Sequence, residues 1–251
     1  MDDLVSTLLN FRQISLEEMD HVKLLDRIDT KYVIHQEDLP RFLNSVVNDY
    51  KLLAIDNQLI HPYETLYYDT PEFFLYQMHH NGRRTRYKLR FRKYVSSGLT
   101  FFEIKSKTNT ARTIKKRMRV DGIYNALDES LNQFVRNHTP GQYSQYLPAL
   151  QVFFDRMTLV NIHANERLTI HLNVRYIGHG LERKMNNLVI VEVKQDKNVL
   201  SPFRLLMKTE HQPHNFLSKY CMGIVCMNKD VKMNRFKQKM KSLTKLGYDI
   251  Y

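Results

Sequence analysis

Long apolar runs are absent. No stretch of the 251 residues approaches membrane-spanning length, and the N-terminal Met1-Asp2-Asp3-Leu4-Val5-Ser6 lacks the basic flank and apolar segment of a secretory signal. A soluble, cytoplasmic protein is therefore expected. Cysteine is scarce: Cys221 and Cys226, with four residues between them, match neither a disulfide framework nor a usual zinc spacing, so packed thiols are expected. Internal repeats, low-complexity tracts and linkers are missing too. This points to one domain over 1–251, ending in a basic helical segment over 227–251. Acidic residues are outnumbered: 26 Asp and Glu against 38 Lys and Arg leave a net charge of +12. Such a charge favours a polyanionic partner and leaves nucleic acid, anionic lipid and phosphorylated metabolites open.

What is present divides by period. Ser15-Leu16-Glu17-Glu18 is a capping box, followed by Met19, Val22 and Leu25 at helical spacing. Thr70-Pro71 predicts a helix over 71–81 that Gly82 ends, and Ser201-Pro202 opens another. Residues 123–148 read as helical around a loop at Pro140-Gly141, and 229–245 as a basic amphipathic helix with Met233, Phe236, Met240 and Leu243 between its cations. Elsewhere the period is two. Segments 25–34, 63–69, 85–94, 100–107, 113–120, 150–160, 166–176 and 187–195 read as strands in mostly uninterrupted succession. An α+β fold follows: an eight-stranded antiparallel meander that can close into a barrel, with helices packed outside and at its ends.

In Tyr87-Lys88-Leu89-Arg90-Phe91-Arg92, alternation puts Lys88, Arg90 and Arg92 on one face and Leu89 and Phe91 on the other. One such strand needs no more than a wet face. The pattern recurs, however, with Arg27 and Lys31 against Ile28 and Tyr32, Lys105 and Lys107 against Ile104, Lys115 and Arg117 against Ile114 and Met118, and Arg167 against Leu168 and Ile170. Together these strands build either a basic open surface or a barrel with its charge inside, and the helix signals favour the barrel. Asp29, Glu103 and Glu192 are carboxylates set among the cations. Asp29 and Glu103 read equally as salt-bridge partners, whereas Glu192, in the apolar run Leu188 to Lys194, needs a cation or a metal. Phosphate chemistry accounts for the composition: Arg offers a bidentate fork, Lys a compact charge, and a carboxylate can hold Mg²⁺ or Mn²⁺ on phosphate oxygens.

Several pieces, in order and spacing, resemble the VTC (vacuolar transporter chaperone) domain of polyphosphate polymerases, in the triphosphate tunnel or CYTH-like superfamily. They are Arg27 to Tyr32, Tyr67-Tyr68-Asp69-Thr70, Lys88 to Arg92, Phe102 to Lys105, Ile114 to Arg117, Val191 to Lys194 and Ser218-Lys219-Tyr220. The resemblance covers about 20–226. It implies a tunnel of eight antiparallel strands that binds ATP, triphosphate or a growing inorganic polyphosphate chain with Mn²⁺ or Mg²⁺ and no covalent intermediate. The catalytic set it implies is Lys31, Lys88, Arg90, Lys105, Arg167 and Lys219. The resemblance adds phosphate-binding positions at Lys115, Arg156 and Lys194 and a metal-binding one at Glu192, while strand alternation offers Arg27, Arg92, Lys107 and Arg117 as further phosphate ligands. By strand parity, Lys31, Lys88, Arg90, Arg92, Lys105, Lys115, Arg167 and Glu192 are expected to converge on one cavity.

Two departures stand out. Arg27-x-Asp29-x-Lys31 replaces the Glu-x-Glu-x-Lys of many superfamily hydrolases, and His171 stands where the resemblance implies an Asp. ATP-dependent chain extension is the leading expectation. A metal-dependent tripolyphosphatase or nucleoside triphosphatase is the alternative enzyme, and a non-catalytic polyanion binder the alternative class. Specific nucleic-acid reading is disfavoured because Leu89 and Phe91 lie opposite the cations. A membrane-protein partner, and with it a peripheral place at a membrane, stays open.

Overall fold

The computed structural model describes residues 2–20, 27–110, 112–139, 145–196, 200–214, 218–245 and 247–248. In chain order the elements are α1 (Asp2–Leu9), β1 (Arg12–Ile14), α2 (Leu16–Asp20), β2 (Arg27–His35), α3 (Leu39–Asn44), β3 (Tyr50–Leu53), β4 (His61–Asp69) and α4 (Phe74–His80). There follow β5 (Arg86–Tyr94), β6 (Thr100–Lys107), β7 (Thr113–Val120), α5 (Glu129–His138), β8 (Leu147–Asn161), β9 (Glu166–Gly178), β10 (Leu181–Lys184) and β11 (Leu188–Asp196). The chain ends with α6 (Pro202–Thr209), α7 (Lys219–Met227) and α8 (Lys237–Lys245).

All eight expected strands are present within a few residues, as β2, β4, β5, β6, β7, β8, β9 and β11. The short β1, β3 and β10 were not anticipated, because three or four residues carry too little period to be read. The capping box over Ser15 is formed: Glu18 N donates to Ser15 Oγ at 3.2 Å, and Ser15 N to Glu18 Oε2 at 2.8 Å. Ser201 caps α6 by accepting from Arg204 N at 3.1 Å. The helix expected over 71–81 is shorter, running Phe74–His80. Asp69 and Thr70, rather than Pro71, start it: Asp69 accepts from Leu75 N and Tyr76 N, and Thr70 Oγ1 from Phe74 N. Gly82 ends it with φ of +70°. Of 123–148 only Glu129–His138 is helical, and the Pro140-Gly141 loop lies outside the described residues. Of 229–245 only Lys237–Lys245 is.

The chain packs as two compact units. The first comprises residues 1–61, 155–174 and 186–216, and the second 62–154, 175–185 and 217–251, so the long β8 and β9 serve both. In the first unit the strand order is β2–β11–β9–β8. Pairing is antiparallel, with β3 against the end of β8 and β1 parallel to β3. One uninterrupted meander was expected; the order departs from it where β8 pairs with β4, while β2 pairs with β11, the first long strand with the last. Its core unites Tyr32 and Ile34, Leu168 and Ile170, and Val189, Val191 and Val193 with Leu39, Phe42 and Leu43 of α3 and Phe203 and Met207 of α6. Burying these side chains stabilises the unit by about 1.5–3 kcal/mol each.

In the second unit the order is β8–β4–β5–β6–β7, and β4 to β7 form the expected antiparallel meander. Leu66, Tyr68, Leu89, Phe91, Phe102 and Ile104 project from one face onto Leu131 and Val135 of α5. Helix α7, which the periodicity did not announce, is buried from Tyr220 to Met227. Cys221 and Cys226 lie buried on it, as expected of packed thiols.

Candidate functional site

Strand parity in the second unit does what Lys88-Leu89-Arg90-Phe91-Arg92 foretells. Leu89 and Phe91 are fully buried in the core under α5, so Lys88, Arg90 and Arg92 stand on the opposite face. Register then aligns three rows. Lys88, Lys105 and Lys115 are cross-strand partners; Tyr67, Arg90, Glu103 and Arg117 form the next row; Thr65, Arg92, Phe101 and Arg119 form the third. Lys107 pairs with Arg86 at the end of the same face.

Glu103 holds the middle row together. Its carboxylate accepts from Arg90 Nε at 2.8 Å and Nη2 at 2.6 Å, and lies 3.5 Å from Lys115 Nζ. The Arg90 side chain is 12% exposed and that of Glu103 1%, so this ion pair is dry. Burial alone would raise the Glu103 carboxyl, but Arg90, Arg92 and Lys115 outweigh it and hold the group at about 2. Glu103 is thus the salt-bridge partner that its position among cations allowed. Arg90 Nη1 also donates to Tyr67 Oη at 3.3 Å. Burial lowers the Lys115 ammonium, with Glu103 opposing.

Aromatic rings share this face. Tyr63 stacks on Phe154 at 5.2 Å, Tyr94 lies against Tyr63 and Phe101, and three cations cover the row. Arg92 sits 5.9 Å from the Tyr63 ring, Arg117 4.6 Å from Phe101, and Lys219 Nζ 4.6 Å from Phe154. This corrects the expectation, drawn from Leu89 and Phe91 alone, that rings and cations occupy opposite faces. At the other end of the face, burial first, then Lys88, Arg86 and Lys105, push the imidazole of His79 down to about 2.

In the first unit the cationic face is again the one opposite the core. Glu192 lies 3.9 Å from Lys31 Nζ and 3.8 Å from Lys194 Nζ, and it is the cross-strand partner of Lys31 and Thr169. Lys194 faces Asp29 on one side and Arg167 on the other. Arg167 Nη2 donates to the Met19 carbonyl at 3.3 Å, which ties α2 to the strand. Arg156 Nε donates to His171 Nε2 at 3.0 Å, so His171 is an acceptor there, with its proton on Nδ1. The side chain of Arg27 lies outside the described residues.

A model of the VTC domain matches residues 26–228. The chain belongs to the VTC domain family. The match runs through both units, and all fourteen candidate site residues fall inside it. No curated protein sequence matches the chain. Among solved structures, a conserved hypothetical protein from Pyrococcus furiosus is 12% identical, with a TM-score of 0.44 over 78% of this chain and 99% of that one. A Bacillus halodurans protein named as an adenylate cyclase candidate is 13% identical, with a TM-score of 0.47 over 77% and 94%. A Hippeastrum adenylyl cyclase candidate, described as having a dominant triphosphatase activity, is 11% identical, with a TM-score of 0.47 over 79% and 94%.

The divalent ion that the resemblance implies meets a sparse donor set in this VTC domain. Among the described residues no three His, Cys, Asp or Glu side chains group to hold a metal. Glu192 is one carboxylate between two ammonium groups. That fits Mg²⁺ or Mn²⁺ carried on phosphate oxygens, which needs only one or two protein carboxylates, and not a cage built by protein alone. Among the described residues no helix is long and apolar enough to cross a membrane.

Sequence reasoning assigned no role to Tyr67, Tyr63, Phe154, Asp69 or His79. The parity of β4 could have found the first two, since Tyr63 and Tyr67 alternate with the buried Leu66 and Tyr68. Phe154 and His79 carried no comparable signal, because packing rather than period places them.

Proposed function

We propose that this VTC domain is a polyphosphate polymerase, transferring the γ-phosphate of ATP to the end of an inorganic polyphosphate chain. The observation that carries the reading is the cationic face of the second unit, where three cross-strand rows of Lys and Arg share one buried carboxylate, Glu103. A face so rich in Lys and Arg suits a ligand that brings many negative charges of its own. The strands are proposed to close as a barrel around that ligand, and the whole chain to act as one domain.

Lys88, Lys105 and Lys115 offer point charges to successive phosphates. Arg90, held in one orientation by Glu103 and Tyr67, offers a fixed guanidinium edge. Arg92, Lys107, Arg117 and Lys219 extend the same face. In the first unit Lys31, Arg156, Arg167 and Lys194 bind phosphate oxygens, joined by Arg27, and Glu192 would hold the divalent ion. That ion, when bound, would neutralise charge on the phosphate oxygens. In the transfer, the terminal oxygen of the chain bonds to the γ-phosphorus as its bond to the ADP oxygen breaks. The side chains supply position and charge to a transition state that needs little else.

Purified protein incubated with ATP and Mn²⁺ and run on a gel should yield a polyphosphate ladder and ADP. Free phosphate without a ladder would assign the hydrolase chemistry instead. No turnover, with tight tripolyphosphate binding, would leave a polyanion binder.

A further inference from the structure

Asp69 is buried to 1% exposure at the end of β4, and its carboxylate is saturated with donors. Oδ1 accepts from Thr70 N at 2.7 Å and Leu75 N at 2.8 Å, while Oδ2 accepts from Tyr76 N at 2.9 Å and from the Tyr220 hydroxyl. Two of the three backbone donors, Leu75 N and Tyr76 N, lie in the first turn of α4, and the third, Thr70 N, precedes it. The fourth comes from α7 and is the one that the start of α4 does not require.

Tyr220 follows Lys219 at the first turn of α7, where Ser218 Oγ accepts from Cys221 N at 3.1 Å. Its ring lies 4.9 Å from that of Tyr67, the residue whose hydroxyl accepts from Arg90. The neighbouring Lys219 Nζ lies over Phe154, which stacks on Tyr63, beside Arg92. A single hydroxyl therefore pins the helix start that carries one phosphate-binding cation, and backs the tyrosine that orients another.

We infer that Asp69 and Tyr220 are a positioning pair, which delivers Lys219 to the cationic face of the second unit and braces Tyr67 against Arg90. Neither touches the ligand. Lys219 sits on a long flexible stem, and without the tether its ammonium samples many positions in place of one. The role of Lys219 as a phosphate ligand rests on the function proposed above; the placement of its ammonium by Tyr220 does not.

Two measurements separate these. In reductively ¹³C-methylated protein, the Lys219 dimethylamine resonance, assigned by its loss in Lys219→Arg, should be shifted by the ring current of Phe154. Tyr220→Phe and Asp69→Asn should return it to the position of solvent-exposed lysines while the melting curve stays cooperative. A shift that persists in Tyr220→Phe overturns the inference. The second measurement is tripolyphosphate affinity by calorimetry. Lys219→Ala and Tyr220→Phe should each weaken binding about tenfold, the size of one lost charge-assisted hydrogen bond. The double variant should be weaker than Lys219→Ala alone by less than the full Tyr220→Phe loss, the remainder being the part that runs through Tyr67 and Arg90. Additive losses would make Tyr220 a purely structural residue and overturn the positioning role. Collapse of the resonance in a protein whose wild type binds no tripolyphosphate would confirm the tether and reject the polyphosphate reading.

Discussion

Arg90 and Glu103 show how one residue pair converts burial into chemistry. A guanidinium whose Nε and Nη2 both meet one carboxylate cannot swing, so its remaining edge faces one way. Arg90→Lys keeps the charge and loses the fork. It should cost at least tenfold in tripolyphosphate affinity, close to the loss in Arg90→Ala; full retention by Lys would show that charge alone suffices. Glu103→Gln leaves Arg90 without its partner and should destabilise the fold by about 3–5 kcal/mol, read from urea melts at neutral pH. The pH dependence has two parts with the same sign. Glu103 lies well below its ordinary 4.5, at about 2, so its stabilisation is complete above 4.5 and disappears as pH falls toward 2. His79 is lowered from 6.5 to about 2, so the unfolded chain takes up a proton first and stability declines as pH falls below 6.5. Acid melts between pH 6.5 and 4.5 should therefore flatten in His79→Gln and not in Glu103→Gln.

At the scale of elements, α7 is held by a close approach. A Cβ on Gly223 would come within 2.4 Å of Leu150 Cδ2 and 2.7 Å of the Tyr176 ring, distances that real side chains do not tolerate. Gly223→Ala should cost about 1–3 kcal/mol through overpacking and lower the melting temperature, although alanine is the better helix former. An unchanged melt would mean that Leu150 and Tyr176 swing aside freely. The C-terminal segment is likewise built into its unit. The Tyr76 hydroxyl donates to the Lys232 carbonyl at 2.8 Å, Arg235 N to His80 Nε2 at 3.2 Å, and Phe236 packs edge-on against Tyr76 and His80. Met240 and Leu243 are buried while Lys237, Lys241 and Lys245 are exposed. Phe236→Ala should cost about 3 kcal/mol in stability without changing the salt dependence of polyphosphate binding. A salt-dependent binding defect with an unchanged melt would reassign the segment to ligand capture.

For the whole molecule, a charge of +12 makes the ligand part of the stability. Tripolyphosphate should raise the melting temperature and Mn²⁺ alone should not, since Glu192 stands between Lys31 and Lys194 and offers a free ion one carboxylate beside two positive charges. Added together they should exceed tripolyphosphate alone, and Glu192→Gln should remove that increment while leaving the effect of tripolyphosphate. Stabilisation by Mn²⁺ in the absence of phosphate would point to a metal site built by the protein itself.

The sequence by itself determined the strands and their faces. Period-two alternation is a local property, so Lys88, Arg90 and Arg92 were separable from Leu89 and Phe91 without knowing what either face meets, and capping residues marked helix starts at Ser15 and Ser201 for the same reason. Local information also misled. Thr70-Pro71 looked like a helix start, yet the Asp69 carboxylate moves that start to Phe74 by gathering backbone donors. Partner strands were beyond it, because register depends on contacts between residues far apart in the chain: β2 finds β11, and Glu103 finds Arg90 and Lys115 together. Only tertiary structure brought Lys219 over Phe154 and Tyr220 to Asp69, since a helix with no periodic signature is placed by packing and by one hydroxyl that must find a buried acceptor.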